Sequence, residues 1–239
     1  MLRKLLIVFA SGVILSIVAF GSAWLVGGDR ARQEFEQRNG WNWTFGDDDD
    51  DAAQHGPRKT RSFPVVSGSQ IAMEIPVELD FVKGDKSEMT VEGPASVVDR
   101  LVWTNGRLSI QGKSVKHGIK VHITAPEIAG LDLDAPGDIT MTGLDQQKLY
   151  LNSNAAISLD ASGKVQQVFV DTRGAGDIDL GKLEAKDATV HVRGVGDVTL
   201  GATGTVNVEI NGAGNVSLVR KPATLQSRIN GVGSIDHDY

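Results

Sequence analysis

Cysteine is absent from the 239 residues, which excludes disulfides and thiolate metal sites and removes any redox clue to compartment. An excess of base is missing too. Lysine and arginine number 24 against 30 acidic residues, a formal charge of 24 − 30 = −6. A chain of that sign gains nothing from a phosphate polyanion, so nucleic acid is excluded as a partner. Aromatics make up only 5%, while glycine reaches 28 residues, a balance that suits a fold of many tight bends. With no covalent staple, stability must come from packing.

Catalytic signatures are also lacking. His55, His117, His122, His191 and His237 are scattered and show no metal-ligand spacing. No phosphate-cradling glycine loop opening a helix, no nucleophile elbow and no paired-histidine motif occurs. The expectation is therefore no enzyme, no catalytic residue, no cofactor and no metal.

What is present begins with a 22-residue run without a charge, Leu5 to Val26, preceded by Arg3 and Lys4. As a helix it would reach about 33 Å, close to the thickness of a bilayer core. The charge asymmetry puts Met1 in the cytoplasm and the remainder outside. A cleaved signal peptide is the alternative, with Gly21 and Ala23 placed like a cleavage site, but the run is long for one. Residues 1–26 are thus expected to form a single membrane anchor. The main domain should then lie in the periplasm or outside the cell.

Residues 27–62 change character. Asp47 to Asp51 form an unbroken acidic run, and Arg58, Lys59 and Arg61 close the segment. Five adjacent carboxylates repel one another, so a solvated linker is expected. The spaced ligands and turn glycine of a calcium loop are missing. Trp41, Trp43 and Phe45 alternate just before the acids, placed either for the membrane interface or for packing on the domain.

From Leu131 onward one phrase returns. It runs Ala135-Pro-Gly-Asp-Ile-Thr-Met, Gly174-Ala-Gly-Asp-Ile-Asp-Leu, Gly194-Val-Gly-Asp-Val-Thr-Leu, Gly212-Ala-Gly-Asn-Val-Ser-Leu and Gly231-Val-Gly-Ser-Ile. A degenerate copy, Ser153-Asn-Ala-Ala-Ile-Ser-Leu, fills the gap after the first. Marking Ile139, Ile157, Ile178, Val198, Val216 and Ile235 gives intervals of 18, 21, 20, 18 and 19. Such a period signals a solenoid, whose units bury apolar surface only by stacking on neighbours. Alternating pairs flank each glycine corner, Val168/Val170 before and Ile178/Leu180 after, for example. Two short strands with a bend between them make one rung, and successive rungs pair in parallel about 4.8 Å apart. Residues 63–239 are expected to form this one domain. Its first part, Phe63 to Glu127, alternates less regularly, with turns at Lys83-Gly84-Asp85 and Asn105-Gly106 and a short helix within Ala95 to Leu101.

The order of these features carries a resemblance: a Gly-Asp turn with Met89-Thr-Val-Glu-Gly, then Val97-Val-Asp-Arg-Leu, Gly106-Arg-Leu-Ser-Ile and the serial Gly-x-Gly-Asp/Asn phrases. It resembles the head GIN domain family of autotransporter adhesins over about Phe63 to Tyr239. The resemblance implies a right-handed parallel β-helix outside the cytoplasm, with no established catalytic activity.

Stacking the rungs aligns residues into columns. One reads Asp138, Ala156, Asp177, Asp197, Asn215, Ser234; another reads Asp134, Asn152, Arg173, Arg193, Asn211, Asn230; a third reads Thr140, Ser158, Asp179, Thr199, Ser217, Asp236. Asp138, Asp177, Asp197, Asn215, Arg173 and Arg193 are the candidate surface ladder. One rung apart, two such aspartates would repel by roughly 3 kcal/mol before screening, so something must offset them. The favoured reading is that backbone amides of the turn donate to the aspartates, with Arg173 and Arg193 compensating nearby. Calcium or carbohydrate binding by the same columns is the sharper one. The function expected is a binding, adhesion or scaffolding surface with an envelope protein or glycan partner. A carbohydrate-active β-helix enzyme and a passive spacer are the alternatives. The final rung around Ile235 has no evident cap, which leaves a homo-oligomer open.

Overall fold

The computed structural model describes residues 57–115 and 118–239. The expected anchor at Leu5–Val26, the acidic run, the aromatic trio and His117 lie outside the described residues. Among the described residues no helix is long and apolar enough to cross a membrane.

Alternation decides the local structure. The chain enters through β1 (Arg58–Pro64) and β2 (Gln70–Met73), followed by β3 (Val77–Lys83) and β4 (Glu88–Pro94), in which buried residues fall on every second position; in β3, Val77, Leu79 and Phe81 are buried and the residues between them exposed. A single helical turn follows, α1 (Ala95–Val98), entered through Pro94, with Val97 and Val98 buried. Proline fits there because the first turn has no internal partner for its missing N–H. Next come β5 (Leu101–Thr104) and β6 (Arg107–Ile110). They are joined by Asn105 and Gly106 at φ 52 and 77, the two left-handed residues that a tight hairpin of this length needs. Then follow β7 (Ile119–Ala125), β8 (Gly130–Leu133), β9 (Gly137–Ser153), β10 (Ala156–Thr172), β11 (Ala175–Val192), β12 (Val198–Ala202), β13 (Thr205–Ile210), β14 (Val216–Leu218), β15 (Thr224–Ile229) and β16 (Ile235–His237).

These strands coil into a β-solenoid with two principal walls. The first wall stacks β6, β2, β8, the second halves of β9, β10 and β11, then β13 and β15, all in parallel. The second wall stacks β7, β3, the first halves of β9, β10 and β11, then β12, β14 and β16, again in parallel. The long strands β9, β10 and β11 pass from the second wall to the first through a register shift. Between the walls runs one apolar core, chiefly Val, Leu and Ile, with Phe63, Met73, Phe81, Met89, Met141 and several alanines among them. The N-terminal end differs. There β4 pairs antiparallel with β7, β1 with β4, and β5 with β6, which closes that end of the stack.

Two expectations need correcting. Arg58, Lys59 and Arg61, expected within the linker, belong to the first described strand, β1, which begins five residues ahead of Phe63. That strand is a sheet edge exposed along most of its length, and an edge tolerates charge. Arg58 pairs with Glu92 at 2.9 Å, Lys59 pairs with Asp99, and Arg61 Nη1 donates to the Leu101 carbonyl at 3.0 Å.

The second correction concerns the degenerate rung. Ile139 is level with Leu159, not Ile157, and Leu159 is level with Ile178. Val198, Val216 and Ile235 continue that column as expected. Ile157 instead pairs with Gly137 and Gly176, the corner glycines of its neighbours. The columns therefore contain Ser158 in place of Ala156, Asn154 in place of Asn152, and Asp160 in place of Ser158. The sequence Ser153 to Leu159 has no glycine to mark its corner, which is why it aligns two residues out. With Leu159 in the column the intervals become 20, 19, 20, 18 and 19, more even than before.

Candidate functional site

The surface columns sort by wall. On the second wall Asp138, Ser158, Asp177, Asp197, Asn215 and Ser234 follow one another up the solenoid. Asp177 Oδ1 accepts from the Asp197 backbone N–H at 3.3 Å. Asp197 Oδ1 accepts from the Asn215 backbone N–H at 2.8 Å and from its amide at 3.0 Å. Asn215 Oδ1 accepts from the Ser234 N–H at 3.1 Å and its hydroxyl at 3.0 Å. Each side chain thus bonds the amide of the next rung, not its own turn. This offsets the like-charge stacking of Asp177 and Asp197, since each carboxylate faces a donor. Replacing Asp197 by alanine orphans the Asn215 amide and should cost about 1 kcal/mol in urea unfolding, with Asp197→Asn close to neutral. Equal losses in the two variants would contradict this.

Arg173 and Arg193 stand on the other side of the corner and do not reach these aspartates. Both engage Asp171, at 3.3 and 3.1 Å. Asp171 Oδ2 takes both contacts, while its Oδ1 is enclosed without a partner among the described residues. Above the two arginines their column continues as Asn211 and Asn230, whose side-chain amides bond at 2.9 Å. Below them Asn154 donates to Asp134 at 2.8 Å, and Arg107 bridges Glu74 and Asp134 at 2.6 and 3.3 Å. Hydrogen bonds to Glu74, then Asp134, raise the Arg107 pKa further, so its guanidinium stays charged at any working pH. The six candidate residues therefore fall in two separate columns, on two walls.

The first wall holds what the sequence reading passed over. Tyr150 and Phe169 are level on adjacent rungs and point outward, their rings stacked at 4.8 Å and 10°. The next residues in that column are Thr189, Asn207 and Gln226, so the stack ends at Phe169. On its far side lies a cleft of about 230 Å³ lined by Gln167, Phe169, Asp187, Thr189, Thr205 and Asn207. A second cleft of about 330 Å³ shares Asn207 and adds His191, Glu209, Gln226 and Arg228. A detectable signal existed: in Lys148-Leu-Tyr-Leu and Gln167-Val-Phe-Val the aromatic takes the polar phase of the alternation. Asp187 is fixed by accepting from the Thr205 N–H at 2.8 Å.

Glu209 is held below its ordinary carboxylate value chiefly by the Asn211 amide, which donates to it at 3.0 Å; burial opposes this, and His191, Arg228 and Arg193 add to it. A lowered folded-state value stabilises above the ordinary value of 4.5, and that contribution is lost as pH falls through the folded-state value. Asn211→Ala should return the Glu209 midpoint upward in an NMR titration. An unmoved midpoint would contradict the assignment.

Among the described residues no group of three or more His, Cys, Asp or Glu is placed to hold a metal ion. Comparison with known proteins decides the family. The profile described as "Putative auto-transporter adhesin, head GIN domain" matches residues 69–222, more than half of the chain. The chain belongs to this family. Among solved structures, a "putative adhesin" from Bacteroides fragilis NCTC 9343 aligns with the GIN domain at TM-score 0.61 and 22% identity, over 77% of this chain and 98% of that one. A "putative adhesin" from Parabacteroides distasonis ATCC 8503 aligns at TM-score 0.49 and 16% identity over the same shares of the two chains, 77% and 98%. A "putative lipid binding protein" from the same strain aligns at TM-score 0.42 and 17% identity, again over 77% and 98%. The first of these shares the fold; the other two are too distant to carry an argument. No curated protein sequence matches the chain.

Proposed function

We propose that this GIN-domain chain is an exported, membrane-anchored adhesion or scaffolding surface without catalytic activity. Membership of an adhesin-head family over residues 69–222 is the observation that carries the reading. The surface chemistry supports it. Asp177 and Asp197, which a lyase or hydrolase would need as free carboxylates, accept backbone amides of the next rung, and Arg173 and Arg193 are engaged by Asp171. The uncharged run Leu5–Val26 behind Arg3 and Lys4 supports the anchor, with the solenoid in the periplasm or beyond. The coil is right-handed in this reading, the hand that connections between parallel strands adopt in almost all proteins.

Two measurements on cells test it. Protease added outside the cytoplasmic membrane should digest the solenoid but leave a cytoplasmic marker whole. Cells producing the chain should adhere to glycan- or matrix-coated surfaces more than cells lacking it. A solenoid protected with the marker would sink the exported reading, and equal adherence would sink the adhesive one.

A further inference from the structure

We propose that the outward face of the first wall is a groove for a neutral carbohydrate chain, laid across the rungs from Phe169 toward Arg228. The proposal deepens the adhesive reading above and rests on it. Its anchor is Phe169. One face of that ring is covered by Tyr150, while the other borders the cleft that Thr189 and Asn207 continue. A ring supported from behind and open in front is a rigid platform with little side-chain entropy left to lose. The apolar C–H face of a pyranose packs on such a ring.

The surroundings suit the rest of a sugar. Gln167, Thr189, Thr205 and Asn207 bring amide and hydroxyl groups that both donate and accept, as sugar hydroxyls do. Asp187 is already oriented through its bond to the Thr205 amide, leaving its second oxygen to accept from a hydroxyl. The two clefts share Asn207 as a lining residue and so lie side by side along the wall. Phe169, Thr189, Asn207 and Gln226 stand on successive rungs, a span of about 14 Å at the usual strand spacing. That length accommodates an oligosaccharide segment, not a single ring.

Charge selects the class. Asp187 and Glu209 line the groove, with the guanidinium of Arg228 among them. A polyanionic glycan would meet the two carboxylates at close range, whereas a neutral chain meets a mixed and fully hydrated rim. A lipid tail is disfavoured because the polar side chains above would lose their water without gaining partners.

The test uses the full-length chain in mild detergent against immobilised tetrasaccharides of β-1,4-glucose, β-1,4-N-acetylglucosamine and mannose, with polygalacturonate as the charged comparison. The wild type should bind at least one neutral tetrasaccharide in preference to polygalacturonate. Phe169→Ala should weaken that binding about tenfold. Thr189→Trp, which fills the cleft while keeping the wall, should abolish it. Thr199→Ser, on the second wall, should leave it unchanged, and circular dichroism should show all variants folded. Absence of binding to every neutral glycan, preference for polygalacturonate, or equal binding by the wild type and Thr189→Trp overturns the groove. Cells that adhere as well with Thr189→Trp as with the wild type point to a protein partner elsewhere, which overturns the groove but leaves the adhesive reading intact. Glycan binding through the groove by a chain that confers no adherence would support the groove and overturn that reading.

Discussion

Replacing Leu200 by aspartate is expected to strip hydrogen-exchange protection from β12 to β16 while the amides of β3 and β7 stay protected. Leu200 is 1% exposed and lies level with Leu180 on one neighbouring rung and Leu218 on the other. A carboxylate there has no donor and no water, so the local cost is on the order of 4 kcal/mol or more. In a globule that loss would spread through the whole core. A solenoid is nearly one-dimensional, each rung touching only the rungs beside it, so the loss falls on the rungs beyond the damage. The N-terminal part keeps its own closure from β1, β4 and β7. Uniform loss of protection along the chain would contradict this picture.

Gly196→Ala carries the second large effect. Gly196 has φ 149, and a Cβ placed there would stand 1.8 Å from the carbonyl oxygen of Gly176. Both the backbone conformation and the space exclude a side chain, and the obstacle is main chain of the rung below, which cannot swing aside. A loss of about 3 kcal/mol is expected in urea unfolding. Gly181→Ala is the control. Its Cβ would meet side-chain atoms, Asp179 Oδ1 at 3.1 Å, Thr199 Cγ2 at 3.2 Å and Val219 Cγ2 at 3.5 Å. That variant should stay within about 1 kcal/mol of the parent. Equal losses at the two positions would show that the corners do not need glycine.

The contrast between these glycines explains what the sequence discloses. Corners that must be glycine recur at a fixed period, and the strands around them alternate, so the parallel coil from Leu131 onward is legible without coordinates. Where the corner is filled by Ile157 the marker disappears, and only the evenness of the spacing points to Leu159. The strand β1 was hidden for a different reason. An edge strand facing solvent selects charge, so Arg58 to Arg61 looks like linker.

The candidate site was less legible than the fold. Which residues share a column follows from period and alternation, and Asp177, Asp197 and Asn215 do line up. What they bond does not follow. The amide facing Asp197 belongs to Asn215, 18 residues away, and only the offset between rungs decides that it, not the local turn, is the donor. Similarly, Arg173 and Arg193 find Asp171 because the strand before the corner presents it two residues ahead of Arg173 and one rung from Arg193, away from the aspartates of the second wall. The groove of Tyr150 and Phe169 needs two rings from different rungs to be recognised as neighbours, which requires the register of the glycine-free rung.

Paired cysteines test that register most directly, and the chain brings no thiol of its own to interfere. Ser158 and Asp177 are level on adjacent parallel strands, near the separation a disulfide or a short dithiol reagent spans. Ser158→Cys with Asp177→Cys should cross-link rapidly on mild oxidation, and Ala156→Cys with Asp177→Cys should not. Efficient bridging of the second pair and failure of the first would contradict the stacking from which every surface column and the groove are derived.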